Sequence, residues 1–295
     1  MEGVLKCLIL GICSGGVYAL IALGYVIIYK ATRVFPFSQA AVLLIGAYVM
    51  YQCLIVAHLP IAVSVFISLA AGAVAGLIIE RLCMRPLIGQ PILAPIVVTL
   101  GLMLLIRGVC LAIWGGDVYG YGEHFLPGGS WQVGFLNIPQ IQIYALVIAM
   151  AVVGLLLLFF NKTNTGLAMR VTHEDHLMAQ NLGINVRRVF QYTWVLACLV
   201  GVIAGMLLGN IQGVGLDLDA NGLIAIAAAL FGGLESIGGA IIAGLTVGIL
   251  QLFTIGYVAR FLPGETTMMV PFVFLLLILL FKPYGLFGLV RIERL

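Results

Sequence analysis

The sequence predicts an all-α fold: a polytopic membrane protein of eight to nine transmembrane or re-entrant helices. Three observations carry the prediction. Only 8% of the 295 residues are charged and 63% are hydrophobic. The mean hydropathy is +1.21. The apolar residues gather in runs of about 20, the length a helix needs to cross a hydrocarbon core of about 30 Å. A soluble domain carries roughly 25% charged residues. Fourteen Lys/Arg and eleven Asp/Glu cannot cover the surface of a soluble chain this long. Soluble enzymes, disordered chains and collagen-like chains are thereby excluded. The net charge of +3 does not point to nucleic acid, and the expected partner of most of the surface is the lipid bilayer.

The runs, in order, are 5–29, 38–57, 61–82, 92–114, 141–160, 190–210 and 269–281. The first exceeds the ~7–15-residue core of a secretory signal, so it is predicted to span rather than to be cleaved. Between 220 and 257 the pattern changes. A short run, 221–231, is followed by Gly232-Gly-Leu-Glu-Ser-Ile-Gly-Gly239 and then by a full-length run, 240–257. Eleven to fifteen residues rise only about 16–22 Å in a helix. The short piece is therefore expected to be half-length or re-entrant, with glycines that let the backbone reverse. All segments are read as one domain, 1–295.

Orientation follows from the placement of the cations. With the N-terminus outside, Lys30, Arg33, Arg81, Arg85, Lys162, Arg170, Arg187, Arg188, Lys282, Arg291 and Arg294 fall on the cytoplasmic side. Only Lys6 and Arg260 fall outside, and Arg107 lies within a span. The C-terminus is then cytoplasmic. Loop 115–140 is external; its Gly, Tyr, Trp and Pro suit either a folded lid at headgroup level or a plain connector. Loop 161–189 is cytoplasmic and is the most polar stretch. The six cysteines form no CxxC and mostly sit in apolar runs, so they read as small core hydrophobes.

Two short helices fit the cytoplasmic loop. In the first, 166–171, Leu167, Met169 and Arg170 are available to a partner. In the second, 174–182, Leu177, Met178 and Leu182 share a face. Glu174 and Asp175 suit its first turn, and Gly183 ends it as a C′ glycine. His173-Glu-Asp-His176 could hold a metal on a helix, but a solvated face explains it better, and no metal site is assigned.

At this loop the sequence begins to resemble a known family. Gly166, Ala168, Met169 and Arg170, then Asp175, Ala179 and Leu182-Gly183-Ile184, ending in Arg187/Arg188, look like the coupling loop of ABC importer permeases. Within that group the chain is similar to the Liv-type permeases of the branched-chain amino acid (LivH/LivM) family. Gly16-Val-Tyr-Ala-Leu-Ile-Ala-Leu-Gly-Tyr25, Gly46-Ala-Tyr48, Ala228-Ala-Leu-Phe-Gly-Gly-Leu-Glu-Ser-Ile-Gly-Gly-Ala240 and Lys282-Pro-Tyr-Gly-Leu-Phe-Gly288 follow its order. One stretch departs: Pro36 stands where the family usually has Asn, and Ala40 where it usually has Gly.

The resemblance implies a permease of the type II-like fold. It implies a second permease subunit, two cytoplasmic ATPase subunits seated on the 166–188 loop, and an extracytoplasmic substrate-binding protein. Branched-chain or related hydrophobic amino acids are the implied cargo, across a bacterial cytoplasmic membrane. Urea, short amides or aromatic acids are alternatives within the class, and a self-contained secondary transporter or channel is an alternative outside it. The chain has no GxxxxGK[ST] and no catalytic residues are assigned, so ATP and Mg are expected in the ATPase subunits and no cofactor in this chain.

Five residues are expected on the translocation path. Arg107 is the basic residue set well inside a span, and it either snorkels, forms an ion pair or faces the path. Glu235 lies in the glycine-rich break, as a cap of backbone N–H groups or a gate. Ser38, Gln39 and Asn221 are polar residues near segment ends, able to bond between helices or line the route. Gly72 and Gly76 are read as a close-packing face. The spans are expected to lack an acid for ion coupling, with Glu80 the nearest, at a span's end beside Arg81.

Overall fold

A computed structural model describes residues 2–91, 93–133, 136–174, 176–259, 269–282 and 285–288. Seven helices in it are long and apolar enough to cross a membrane. They are α1 (Glu2–Thr32), α2 (Ser38–Tyr51, prolonged by a π-helical turn to Val56), α3 (Ile61–Ile78, prolonged to Leu87), α4 (Leu93–Trp114), α5 (Gln140–Lys162), α8 (Val186–Gln212) and α10 (Ile237–Phe253, prolonged to Val258). Two shorter apolar helices, α9 (Leu218–Gly232) and α11 (Val270–Phe281), bring the apolar helices among the described residues to nine, at the upper end of the expected range. The polar helices α6 (Asn164–Glu174) and α7 (His176–Asn181) link α5 to α8.

Burial separates the helices into a centre and a rim. Two thirds of the most apolar window of α1, α2 and α8 is buried, against 11% for α4 and 22% for α3. A helix that is apolar all round but buried on one side only presents the rest to lipid or to another membrane subunit. The 15 residues of α9 rise about 22 Å, less than the hydrocarbon core. The half-length segment is therefore real.

Small residues set the closest contacts. Gly11 and Gly15 of α1 face Gly244 and Gly248 of α10; a Cβ added to Gly248 would lie 2.3 Å from Gly15 Cα, and one on Gly244 would lie 2.3 Å from Ala19 Cα. Gly72 and Gly76 of α3 press on Val202 and Val195 of α8, as their four-residue spacing predicted. At the glycine-rich break, a Cβ on Gly232 would meet Gly239 backbone at 2.4 Å, and Gly233 has φ +92°. Backbone thus touches backbone where α9 turns into α10, and Leu286 N donates to Phe231 O there at 2.8 Å.

The loop 115–140 is folded rather than extended. It holds a hairpin, β1 (Ser130–Val133) with β2 (Leu136–Pro139), that the sequence did not signal. Tyr119 pairs with Val214 through two backbone hydrogen bonds of 2.8 and 2.7 Å, which clamps the loop to the α8–α9 connection. The Tyr121 hydroxyl donates to Ala47 O at 2.9 Å, deep between α2 and α8. Burial pushes its phenol well above the ordinary tyrosine range, so it stays a donor.

Candidate functional site

The chemistry-bearing side chains fall in three places. The first lies between α4 and α9. Arg107 is seven residues before Trp114, about 10 Å along the helix axis. Its Nη1 donates to Asp219 Oδ2 at 2.8 Å. Asp219 is in the first turn of α9, where a carboxylate also faces the positive end of the helix dipole. Its side chain is 3% exposed, whereas that of Arg107 is 44% exposed. The ion-pair reading of Arg107 therefore holds. Asp219 escaped the sequence reading because a polar residue at the end of a short run looks like a loop residue until the fold brings the first turn of α9 to Arg107.

Aromatic rings and an apolar groove adjoin this pair. Tyr48 stacks on Trp114 with centroids 5.0 Å apart, and Tyr51 on Tyr119 at 4.6 Å. Trp114 Nε1 donates to Gln52 Oε1 at 3.0 Å. The groove, about 220 Å³, lies between α2 and α4 and is lined by Ile45, Val49, Ile106, Val109, Cys110 and Ile113, among others. Trp114 also lines it, and Cys110, one helical turn beyond Arg107, is its nearest lining residue on that side. A charged pair beside an aliphatic groove can hold a small zwitterion with an apolar side chain.

The second place is the polar centre of the helix packing. Tyr18 of α1 donates to Asn221 Oδ1 at 2.8 Å, and Asn221 Nδ2 donates to Gln212 Oε1 at 3.0 Å. Gln39 Nε2 donates to Ala197 O at 2.8 Å, wedged between Gly24 of α1 and Gly201 of α8. Ser38 and Gln39 are fully buried, and Ser38 Oγ and Gln39 Oε1 have no hydrogen-bond partner among the described residues. Asn221 and Gln39 thus bond between helices here, apart from Arg107, and Ser38 is buried beside Gln39. Glu235 is far from both, at the α9–α10 break. Beside it, Ser236 is the N-cap of α10, and its hydroxyl accepts from Gly239 N at 3.0 Å. Both oxygens of Glu80 accept from Arg85, at 2.9 Å each. The π-helical turn Ile79–Met84 widens the helix so that residues five apart become neighbours.

The third place is the polar loop 161–189 between α5 and α8. Thr163 Oγ1 accepts from Gly166 N at 3.0 Å and starts α6. α6 folds back so tightly on the end of α5 that a Cβ on Gly166 would meet Phe160 O at 2.6 Å. This is a physical reason for glycine there. Met169 was expected to be available to a partner, and that is corrected: it is 2% exposed and belongs to the core, because α6 is longer than expected and turns that face inward. Ala168 is half-buried against the core and Arg170 half-exposed. Ala179 is buried against Val186 and Phe190, which fixes α7 on α8. Leu167, Met178 and Leu182 are exposed. Gly183 has φ +78°, and Ile184 N donates back to Ala179 O, so the C′ glycine is present. Asp175 and the side chain of Leu177 lie outside the described residues.

Residues 8–279 match the family described as branched-chain amino acid transport system / permease component. The chain belongs to this family. It is 30% identical to the high-affinity branched-chain amino acid transport system permease protein BraD of Pseudomonas aeruginosa, over 98% of this chain and 97% of that protein. Identity to the corresponding LivH protein of Escherichia coli K12 is 30%, over 96% and 95%. A probable LivH of Methanocaldococcus jannaschii is 30% identical over 91% and 88%. In this permease two of the family motifs coincide with close contacts: Gly46 against Val202, and Gly232 against Gly239. Sequence reasoning missed Asp219, Tyr18, Tyr48 and Tyr121. For Asp219 the available signal was the helix-dipole preference for an acid in a first turn.

Proposed function

We propose that this permease subunit imports branched-chain amino acids, and that the zwitterionic backbone of the substrate passes the Arg107–Asp219 pair. The observation that carries the reading is that pair: opposite charges 2.8 Å apart, beside an aliphatic groove, in a chain similar along nearly its whole length to permeases named for that cargo. Arg107 takes the carboxylate in bidentate fashion, Asp219 takes the ammonium, and the groove takes the side chain. A pair that is already neutral gives up one partner for a matched one, so no net charge is buried during passage.

The permease works with a second permease subunit, two ATPase subunits that hold ATP and Mg²⁺, and an extracytoplasmic binding protein. It lies in the bacterial cytoplasmic membrane with its N-terminus outside and its C-terminus cytoplasmic. Arg33, Arg81, Arg85 and Arg187 line two cavities at the α6–α7 end, which supports that orientation. The ATPase seats on the exposed part of the 166–188 loop, where Leu167, Met178 and Leu182 stand out while Ala179 anchors α7 to the body. Closure of the ATPase pair pushes α7, and through α8 alters the packing around α9.

The test is uptake of labelled leucine into proteoliposomes holding the assembled complex, with binding protein outside and ATP inside. ATP-dependent uptake that is lost on deleting 177–182 is expected. Uptake by this chain without ATPase subunits would overturn the importer reading. Retention of wild-type uptake by Asp219→Asn would overturn the role of the pair.

A further inference from the structure

Two cavities at the cytoplasmic end adjoin. One, about 440 Å³, is lined by Arg81, Arg85, Arg187 and Gln180. The other, about 380 Å³, is mostly apolar and reaches Met84, Leu87, Phe190 and Trp194. Ile88, Gln180 and Val186 line both, so the two are continuous. The polar cavity carries three guanidinium groups against one carboxylate, Glu80. Glu80 is itself 1% exposed and occupies only the Nε and one Nη2 hydrogen of Arg85. Three N–H groups of Arg85 remain. Among the described residues no other acid meets these arginines. A net positive mouth thus opens into an apolar slot at the level where α3 and α8 leave the bilayer.

We infer that this is a binding site for an anionic phospholipid of the cytoplasmic leaflet, with its phosphate among Arg81, Arg85 and Arg187 and an acyl chain in the slot. The charge pattern and the amphipathic shape match such a lipid better than an acidic peptide, which would have no use for the apolar half. Basic pockets between membrane helices on this side are the general form of headgroup recognition. The site is also placed to matter. Gln180 belongs to α7, and Val186 and Phe190 are the residues on which α7 rests. An occupying lipid therefore braces α7 against α3.

The chain has three tryptophans, and Trp194 lines the slot. With Trp114→Phe and Trp131→Phe in the full-length chain, Trp194 fluorescence reports on it alone. Lipid with brominated acyl chains is titrated into mixed micelles. Phosphatidylglycerol is expected to quench at about ten-fold lower mole fraction than phosphatidylcholine. Arg81→Gln with Arg187→Gln abolishes the preference, and the Lys pair retains it. If the Gln pair does not stay monodisperse, salt serves instead: about 1 M salt shrinks the preference of the parent chain. Equal quenching by the two lipids, or a preference that survives both the Gln pair and salt, overturns the proposal. Relief of quenching by inorganic phosphate assigns the mouth to a soluble anion, and relief by the ATPase subunit assigns it to a protein; either also overturns it.

Discussion

Arg107 and Asp219 touch each other but are not equally dependent on each other. The side chain of Asp219 is 3% exposed, and removing its partner by Arg107→Leu leaves a buried carboxylate with no counter-ion. Breaking a buried pair in this way costs about 3–5 kcal/mol. The reverse change, Asp219→Leu, leaves Arg107 with 44% of its side chain exposed. Its long stem can swing toward the headgroups, so less is lost than when the buried Asp219 is stranded. The double variant has no stranded charge, so most of the Arg107→Leu loss returns. Thermal unfolding of the four proteins in one detergent reads this as a Tm order: wild type, Asp219→Leu and the double variant close together, and Arg107→Leu well below. An Asp219→Leu Tm as low as that of Arg107→Leu, or a double variant at the sum of the two losses, would refute the claim that exposure sets the asymmetry.

Gly248→Val pushes a side chain into Gly15 backbone and should lower stability by about 1–3 kcal/mol or prevent a monodisperse product; Gly101→Ala, with nothing within 4 Å, should not. Tyr121→Phe leaves Ala47 O buried without its donor, a loss of about 1–3 kcal/mol below pH 10. Because burial raises the Tyr121 pKa above its ordinary value of 10.0, the unfolded phenol ionises first, so wild-type stability falls as pH rises past that value. The gap to Tyr121→Phe should narrow there in an alkaline melt. Ser236→Ala removes the α10 cap and should cost about 1 kcal/mol, read as a fall in Tm. Leu182→Glu should abolish co-purification with the ATPase at unchanged Tm, whereas Ala179→Asp, at a fully buried position, should lower Tm first.

The membrane class, a count of eight to nine segments and the short length of α9 were legible because hydrocarbon forces long apolar runs and backbone satisfaction within each helix. Chain order also carried the Gly72/Gly76 contact and the C′ role of Gly183, since a four-residue spacing or a positive φ is a local property. Met169 was assigned from its neighbours in the chain, but its surroundings come from the length of α6, which turns that face inward.

By itself the sequence determined the solvent, the number of segments, the half-length helix and the polar loop, since each follows from the cost of placing charge and unpaired backbone in lipid. Only the tertiary structure decided that Asp219 meets Arg107, that Tyr121 seals the α2–α8 junction, and that three arginines from α3 and α8 surround one cavity. These residues lie far apart in the chain. Nothing local fixes their distance, which is set by how closely glycine-lined helices approach.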